Sequence, residues 1–109
     1  DKLMPFQLFF LPSYERCLKR LGSKEKQIAG IIVFALQNYF QSEFPIGGNP
    51  FLFEHQGRSH RLVFKKLRDS IWEAYIEGQV RLLTRLEKNR HYLVFAGNHD
   101  QVRQFLKKN

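Results

Sequence analysis

From Leu62 to Leu86 the chain alternates apolar and polar residues with a period of two, and only short polar turns interrupt it. Successive side chains on a strand point to opposite faces, so this pattern makes one inward and one outward face. Leu62 and Phe64 alternate with Val63 and Lys65, and Arg68-Asp69-Ser70 reads as a turn. Ile71–Glu77 follows, with Trp72, Ala74 and Ile76 set against Glu73, Tyr75 and Glu77. Gly78-Gln79 is a tight connection. Val80, Leu82, Thr84 and Leu86 then alternate with Arg81, Leu83 and Arg85. Glu87–Arg90 is a polar hairpin turn, and His91–Ala96 is a last strand. Strands joined by such short turns pair with their neighbours, which predicts an antiparallel meander. Its apolar face needs a second layer.

The first half of the chain supplies that layer. Phe6–Leu11 is apolar between Pro5 and Pro12, a first strand at a sheet edge, where proline is tolerated. Ser13 can cap a helix whose apolar side is Tyr14, Cys17, Leu18 and Leu21, and Gly22 suits a left-handed stop. Ser23 is placed to cap a second helix. Ile28, Ile31, Ile32, Ala35, Leu36, Tyr39 and Phe40 form its stripe to about Ser42. A loop at 44–49, with Pro45, Gly47 and Gly48, turns the chain toward the sheet. After Gly97, Asn98 or Asp100 can cap a short terminal helix with Val102, Phe105 and Leu106 on its apolar side. The expected fold is α+β: an N-terminal strand and a helical hairpin packed on an antiparallel sheet, with a short C-terminal helix. Residues 1–109 read as one domain, with one sheet face covered by the hairpin and the other left bare.

Charge gives the first functional direction. Eighteen Lys and Arg against 10 Asp and Glu give a net +8, which suits a polyanionic partner such as a nucleic acid. With 43% hydrophobic residues the chain is too apolar to be disordered. Its longest apolar run, Ile28–Leu36, is broken by Gly30 and is far shorter than the roughly 20 residues a membrane span needs. No signal peptide is visible, and the lone Cys17 cannot form an internal disulfide; both favour a cytoplasmic setting. His55 and His60 lack the neighbouring ligands of a metal site. Gly47-Gly48 lacks the lysine of a phosphate loop.

Three motifs, in this order, carry a resemblance over about Phe6–Leu106. They are Phe64-Lys65-Lys66-Leu67-Arg68, then Ile71-Trp72-Glu73-Ala74-Tyr75-Ile76 with Gln79-Val80-Arg81-Leu82-Leu83, and finally Val94-Phe95-Ala96-Gly97-Asn98-His99-Asp100. Together they resemble the RelE/ParE superfamily of bacterial toxins. The resemblance implies a toxin neutralised by a cognate antitoxin protein. On its RelE-like side it implies an endoribonuclease that cuts mRNA at the ribosome without a metal or cofactor. ParE-like relatives inhibit DNA gyrase instead, and a non-enzymatic binding module is a third alternative; fold alone does not choose among them.

Metal-free RNA cleavage needs a base for the ribose 2′-hydroxyl, a cation for the crowded phosphate and an acid for the leaving 5′-oxygen. Imidazole serves as acid or base near neutral pH, and guanidinium grips two phosphate oxygens at once. His99, beside a glycine at a helix start, is the acid–base candidate, and a phosphate there would also meet free backbone N–H groups. The plainer alternative is a local bond to Asp100. Arg81, outward on its strand, is the phosphate candidate; the alternative is a cross-strand pair with Glu73 or Glu77. In the resembled nucleases these two positions carry a catalytic histidine or arginine and a phosphate-supporting arginine. Lys65, Lys66 and Arg68 are candidates for phosphate contacts, Tyr75 for stacking on a base, and Gln79 for orienting the 2′-hydroxyl. Two departures stand out. Many relatives have arginine where this chain has Tyr75, and residues 97–109 lack the tyrosine of the best-known RelE-type nucleases.

Overall fold

The computed structural model describes residues 6–42 and 49–108. The elements run β1 (Gln7–Phe10), α1 (Pro12–Arg20), α2 (Ser23–Gln41), β2 (Phe51–His55), β3 (Arg58–Arg68), β4 (Ile71–Tyr75), β5 (Arg81–Glu87), β6 (Arg90–Gly97) and α3 (His99–Lys108). The expected α+β order is present. The six strands form one sheet in the order β1-β6-β5-β4-β3-β2. β2 to β6 are antiparallel in sequence, as short turns require, while β1 joins β6 in parallel at the edge. Pro5 and most of the expected 44–49 loop lie outside the described residues.

One strand, β2, has no counterpart in the sequence reading. Phe51, Phe53 and His55 turn one face toward α2, and Gln56 and Gly57, with φ of 53° and 78°, make the two-residue turn into β3. Positive φ at both turn positions matches the right-handed twist of the strands it joins. Before β2 begins, the Asn49 side chain extends its pairing with β3: its Oδ1 accepts the Phe64 N–H at 2.8 Å.

Several local expectations are corrected. Ser13 does not cap α1. The helix starts at Pro12, whose ring pre-sets the first helical φ and whose missing N–H costs nothing there. Ser13 instead donates from Oγ to the Val94 carbonyl at 2.9 Å, tying α1 to β6. Gly22 is not a left-handed stop: its φ is −71°, and it serves as the N-cap of α2, which begins at Ser23. The hairpin therefore turns through extended residues rather than through a left-handed one.

The main core lies between the helices and the sheet. Ile32, Leu36, Tyr39 and Phe40 of α2 meet Leu62, Phe64, Ala74, Leu82 and Leu93. At its centre His91 is fully buried, ringed by Phe40 (5.1 Å), Phe64 (5.1 Å), Phe6 (5.5 Å) and Trp72 (5.8 Å). Its Nδ1 shares a 2.8 Å hydrogen bond with Thr84 Oγ1. Burial lowers its pKa from 6.5 to about 4, so it sits in the core as the neutral imidazole.

The second sheet face is not bare, which corrects the sequence reading. Leu83 and Val94 point away from the hairpin and pack with Val102 of α3, and Phe95 lies 4.7 Å from Phe105. The terminal helix is amphipathic and must bury its apolar side, and the uncovered half of β5 and β6 is the surface within reach. Leu67 and Ile71 at one end of β3 and β4 join this cluster, while Lys65 farther along β3 stays exposed. No helix among the described residues is long and apolar enough to cross a membrane.

Candidate functional site

The start of α3 is built by a reciprocal pair of bonds. The Gln101 N–H donates to Asn98 Oδ1 at 2.8 Å, and the Asn98 N–H donates to Gln101 Oε1 at 2.8 Å. This is a capping box in Asn/Gln form. Of the two sequence candidates, Asn98 is thus the cap. A Cβ on Gly97 would lie 2.7 Å from Gln101 Oε1, so the small residue lets the box close against the strand end. Replacing Asn98 with alanine should cost about 1 kcal/mol of stability, read as a lower urea midpoint, with the fold retained.

The box sets His99 as the first residue of α3, exposed at the mouth of a cleft. The cleft has a volume of about 730 Å³, within the range of small-ligand sites. It is formed where three element ends meet: the α1–α2 turn, the start of β5 and the β6–α3 junction. Arg81, Gln79 and His99 all line it, so three of the sequence candidates converge. Arg20 of α1, Glu25 of α2 and Asp100 line it as well. These three were not among the sequence candidates, and no periodicity or motif in the sequence flags Arg20, because it reaches the cleft only once the hairpin packs.

Arg81 is held on several sides. Its Nη1 donates to the carbonyls of Gly78 (2.8 Å) and Val80 (3.2 Å). Gly78, at φ 95°, adopts a backbone turn that side chains disfavour. Arg81 Nε lies 3.9 Å from Glu73 Oε2, and the guanidinium carbon sits 3.9 Å from the centre of the Tyr75 ring. The side chains of Arg81 and Glu73 are only 15% and 6% exposed. The cross-strand pair with Glu73 is therefore real, yet it does not take Arg81 out of the cleft. A guanidinium has five N–H donors, and Nη2 takes part in none of these contacts. A cation fixed in this way meets an incoming phosphate without first having to be ordered.

The remaining candidates divide. Lys65 stands opposite Glu73 on the Arg81 face, with Nζ 5.8 Å from the Tyr75 ring centre. Tyr75 thus lies between two cations. Lys66 stands opposite Trp72 and belongs to the other face. Arg68 follows a bulge in β3, and its Nη2 donates to the Leu106 carbonyl. It satisfies a carbonyl in the last turn of α3, where positive charge also suits the helix dipole. Among the described residues no group of three or more His, Cys, Asp or Glu is placed to hold a metal ion.

No family model matches the chain, and no curated protein is significantly similar to it. Its fold is similar to that of a chain in the crystal structure of the toxin–antitoxin complex RelBE2 from Mycobacterium tuberculosis. The match covers 88% of this chain and 100% of that one at 16% identity, with a TM-score of 0.50. At that identity the likeness is one of fold, and it agrees with the RelE-like architecture expected from the three motifs.

Proposed function

We propose that this protein is the toxin of a toxin–antitoxin pair and a metal-independent mRNA endoribonuclease acting in the cytoplasm on ribosome-bound message. The observation that supports this most is the meeting of Arg81, Gln79 and His99 in one cleft at the N-terminus of a capped helix. The structural neighbour comes from a toxin–antitoxin complex, and a net charge of +8 suits an RNA substrate.

In this reading the scissile phosphate sits in the cleft, with Arg81 neutralising its growing negative charge. Arg20 adds a second cation at the same opening. His99 makes one of the two proton transfers, removal from the 2′-hydroxyl or delivery to the departing 5′-oxygen, and solvent water makes the other. Gln79 orients the 2′-hydroxyl. The 2′-oxygen attacks phosphorus, the bond to the 5′-oxygen breaks, and the product keeps a cyclic phosphate. Lys65 and Tyr75 hold the adjoining RNA, Lys65 by charge and Tyr75 by stacking. Lys66 faces the other side and Arg68 is engaged with α3, so both stand outside this path.

Induced expression followed by mapping of mRNA 5′ ends tests the proposal. The wild type should arrest growth and create new 5′ ends within coding regions. His99→Ala should reduce cleavage by about 10²- to 10⁴-fold with the protein still folded, since the ring is exposed. DNA damage without RNA cuts, unaffected by His99→Ala, would favour gyrase inhibition. Absence of any toxicity would favour a binding module. An acidic, apolar antitoxin segment would cover the cationic side of the sheet, so co-expression of a neighbouring small reading frame should relieve the arrest.

A further inference from the structure

The β2–β3 hairpin runs beyond the end of β4. Val63–Arg68 face β4, whereas Arg58–Leu62 extend past Tyr75 and pair with β2 as an arm. β3 carries five Arg and Lys residues and no carboxylate along its 11 positions. The period of two puts Arg61, Val63 and Lys65 on the same face. Tyr75 stands opposite Val63, and Leu52 stands opposite Arg61. Arg61 and Lys65 are exposed, and Leu52 is 69% exposed, the most open large apolar side chain among the described residues.

A continuous row follows from these positions. It begins in the cleft at Arg81, crosses Tyr75 and Lys65, and ends at Arg61 and Leu52 on the arm. Arg61 lies four residues beyond Lys65, roughly 13 Å along the strand. Cations alternating with ring or apolar surface suit a single-stranded nucleic acid, because cations follow the phosphates and flat apolar groups take the bases. Glu73 and Glu54 are carboxylates on this face beside the row. Glu73 is buried against Arg81, and Glu54, opposite Ser59, lies further out than Arg61 and marks where a polyanion's path would end.

We infer that the arm is a second RNA-holding surface. An RNA strand whose scissile phosphate sits in the cleft continues over Tyr75 and Lys65 and is gripped at its flank by Arg61, with Leu52 against a base or sugar. This rests on the nuclease reading and extends its substrate path to residues outside the cleft.

The test measures binding of labelled 2′-O-methyl oligoribonucleotides of increasing length by fluorescence anisotropy over a salt series. Such oligomers lack the free 2′-hydroxyl and survive intact. Wild-type affinity should rise with length until the arm is spanned. Arg61→Ala should weaken the longest oligomers about threefold and lower the salt slope by about 0.7, while leaving the shortest ones unchanged. Lys88→Ala, an exposed cation in the β5–β6 turn, should change neither. Circular dichroism confirms the fold of each variant. If the wild type binds the oligomers and Arg61→Ala matches it at every length and salt, the arm serves another partner, such as an acidic protein, and the inference is overturned. If the wild type binds none of them, the inference is overturned, while the nuclease reading is decided separately by the mapping of mRNA 5′ ends.

Discussion

Arg81→Ala should lower RNA cleavage by about 10²- to 10³-fold. The loss should appear in the rate at saturating RNA rather than in RNA affinity, because the cation acts where charge develops in the transition state. Lys65, Tyr75 and Arg61 would still hold the strand. Part of the effect of this variant is structural. It leaves the Glu73 carboxylate, 6% exposed, without the Arg81 guanidinium, and stranding a buried charge is destabilising. Arg81→Lys separates the two contributions. It keeps a positive charge near Glu73 and so should keep most of the stability. It cannot grip two phosphate oxygens with a planar fork, nor stack on Tyr75 in the same way, so cleavage should stay well below wild type. Single-turnover cleavage beside a urea melt decides the matter. Wild-type cleavage by Arg81→Ala would remove Arg81 from the reaction.

Acidification supplies the second large effect, and it comes from the core. His91 is neutral in the folded state, with its pKa lowered from 6.5 to about 4 by burial. The unfolded chain takes up a proton as pH falls through about 6.5, while the folded chain does not until about pH 4. In that window the unfolded state binds more protons, so stability falls as pH falls. The stability lost between pH 6.5 and 4 should be about 3 kcal/mol, a large share of what a small domain has. Four aromatic rings surround the imidazole and the Thr84 hydroxyl bonds Nδ1; among the described residues Nε2 has no partner and no carboxylate offsets the charge. Urea unfolding at several pH values should show the slope, and His91→Phe should flatten it between pH 6.5 and 4. Glu77 acts elsewhere. Its carboxyl is held below the usual range, first by its own backbone N–H and also by His60 and Arg58. Its stabilisation is lost only as pH falls through that lowered value. An equal slope in His91→Phe would show that other groups govern acid unfolding.

The two effects separate experimentally. Arg81 is read at the chemical step, at a pH where His91 is neutral in both states. His91 is read in unfolding, with no RNA present. A protein in which acid weakened cleavage and stability in parallel, and His91→Phe corrected both, would be losing activity through unfolding rather than at the chemical step.

Much of the architecture was written in local pattern. Period-two alternation from Leu62 to Leu86 gave the meander, and the 3.6-residue stripe from Ile28 to Phe40 gave α2. Both signals come from neighbours in sequence, so they survive without knowledge of the fold. The Asn98-x-x-Gln101 box was equally local. β2 left a trace in Phe51, Phe53 and His55 before Gln56-Gly57, but its turn is not one of the strongest hairpin pairs. The caps were misassigned because Ser13 and Ser23 satisfy a local rule that a distant carbonyl and a neighbouring glycine overrode.

What the sequence determined by itself was every element but β2, the cationic character of β3 and the two side chains, Arg81 and His99, with chemistry suited to a phosphodiester. What only the tertiary structure decided was which of them share a space. Arg81 and His99 are 18 residues apart, and Arg20 is farther still; they line one cleft because β5 pairs with β6 and α1 ends beside both. The same packing laid α3 over half of the face that alternation left bare, and it sent Lys66 and Lys65 to opposite sides of the sheet. Periodicity assigns a side chain to a face, but the burial of apolar surface between elements far apart in sequence decides what covers that face and what meets across it.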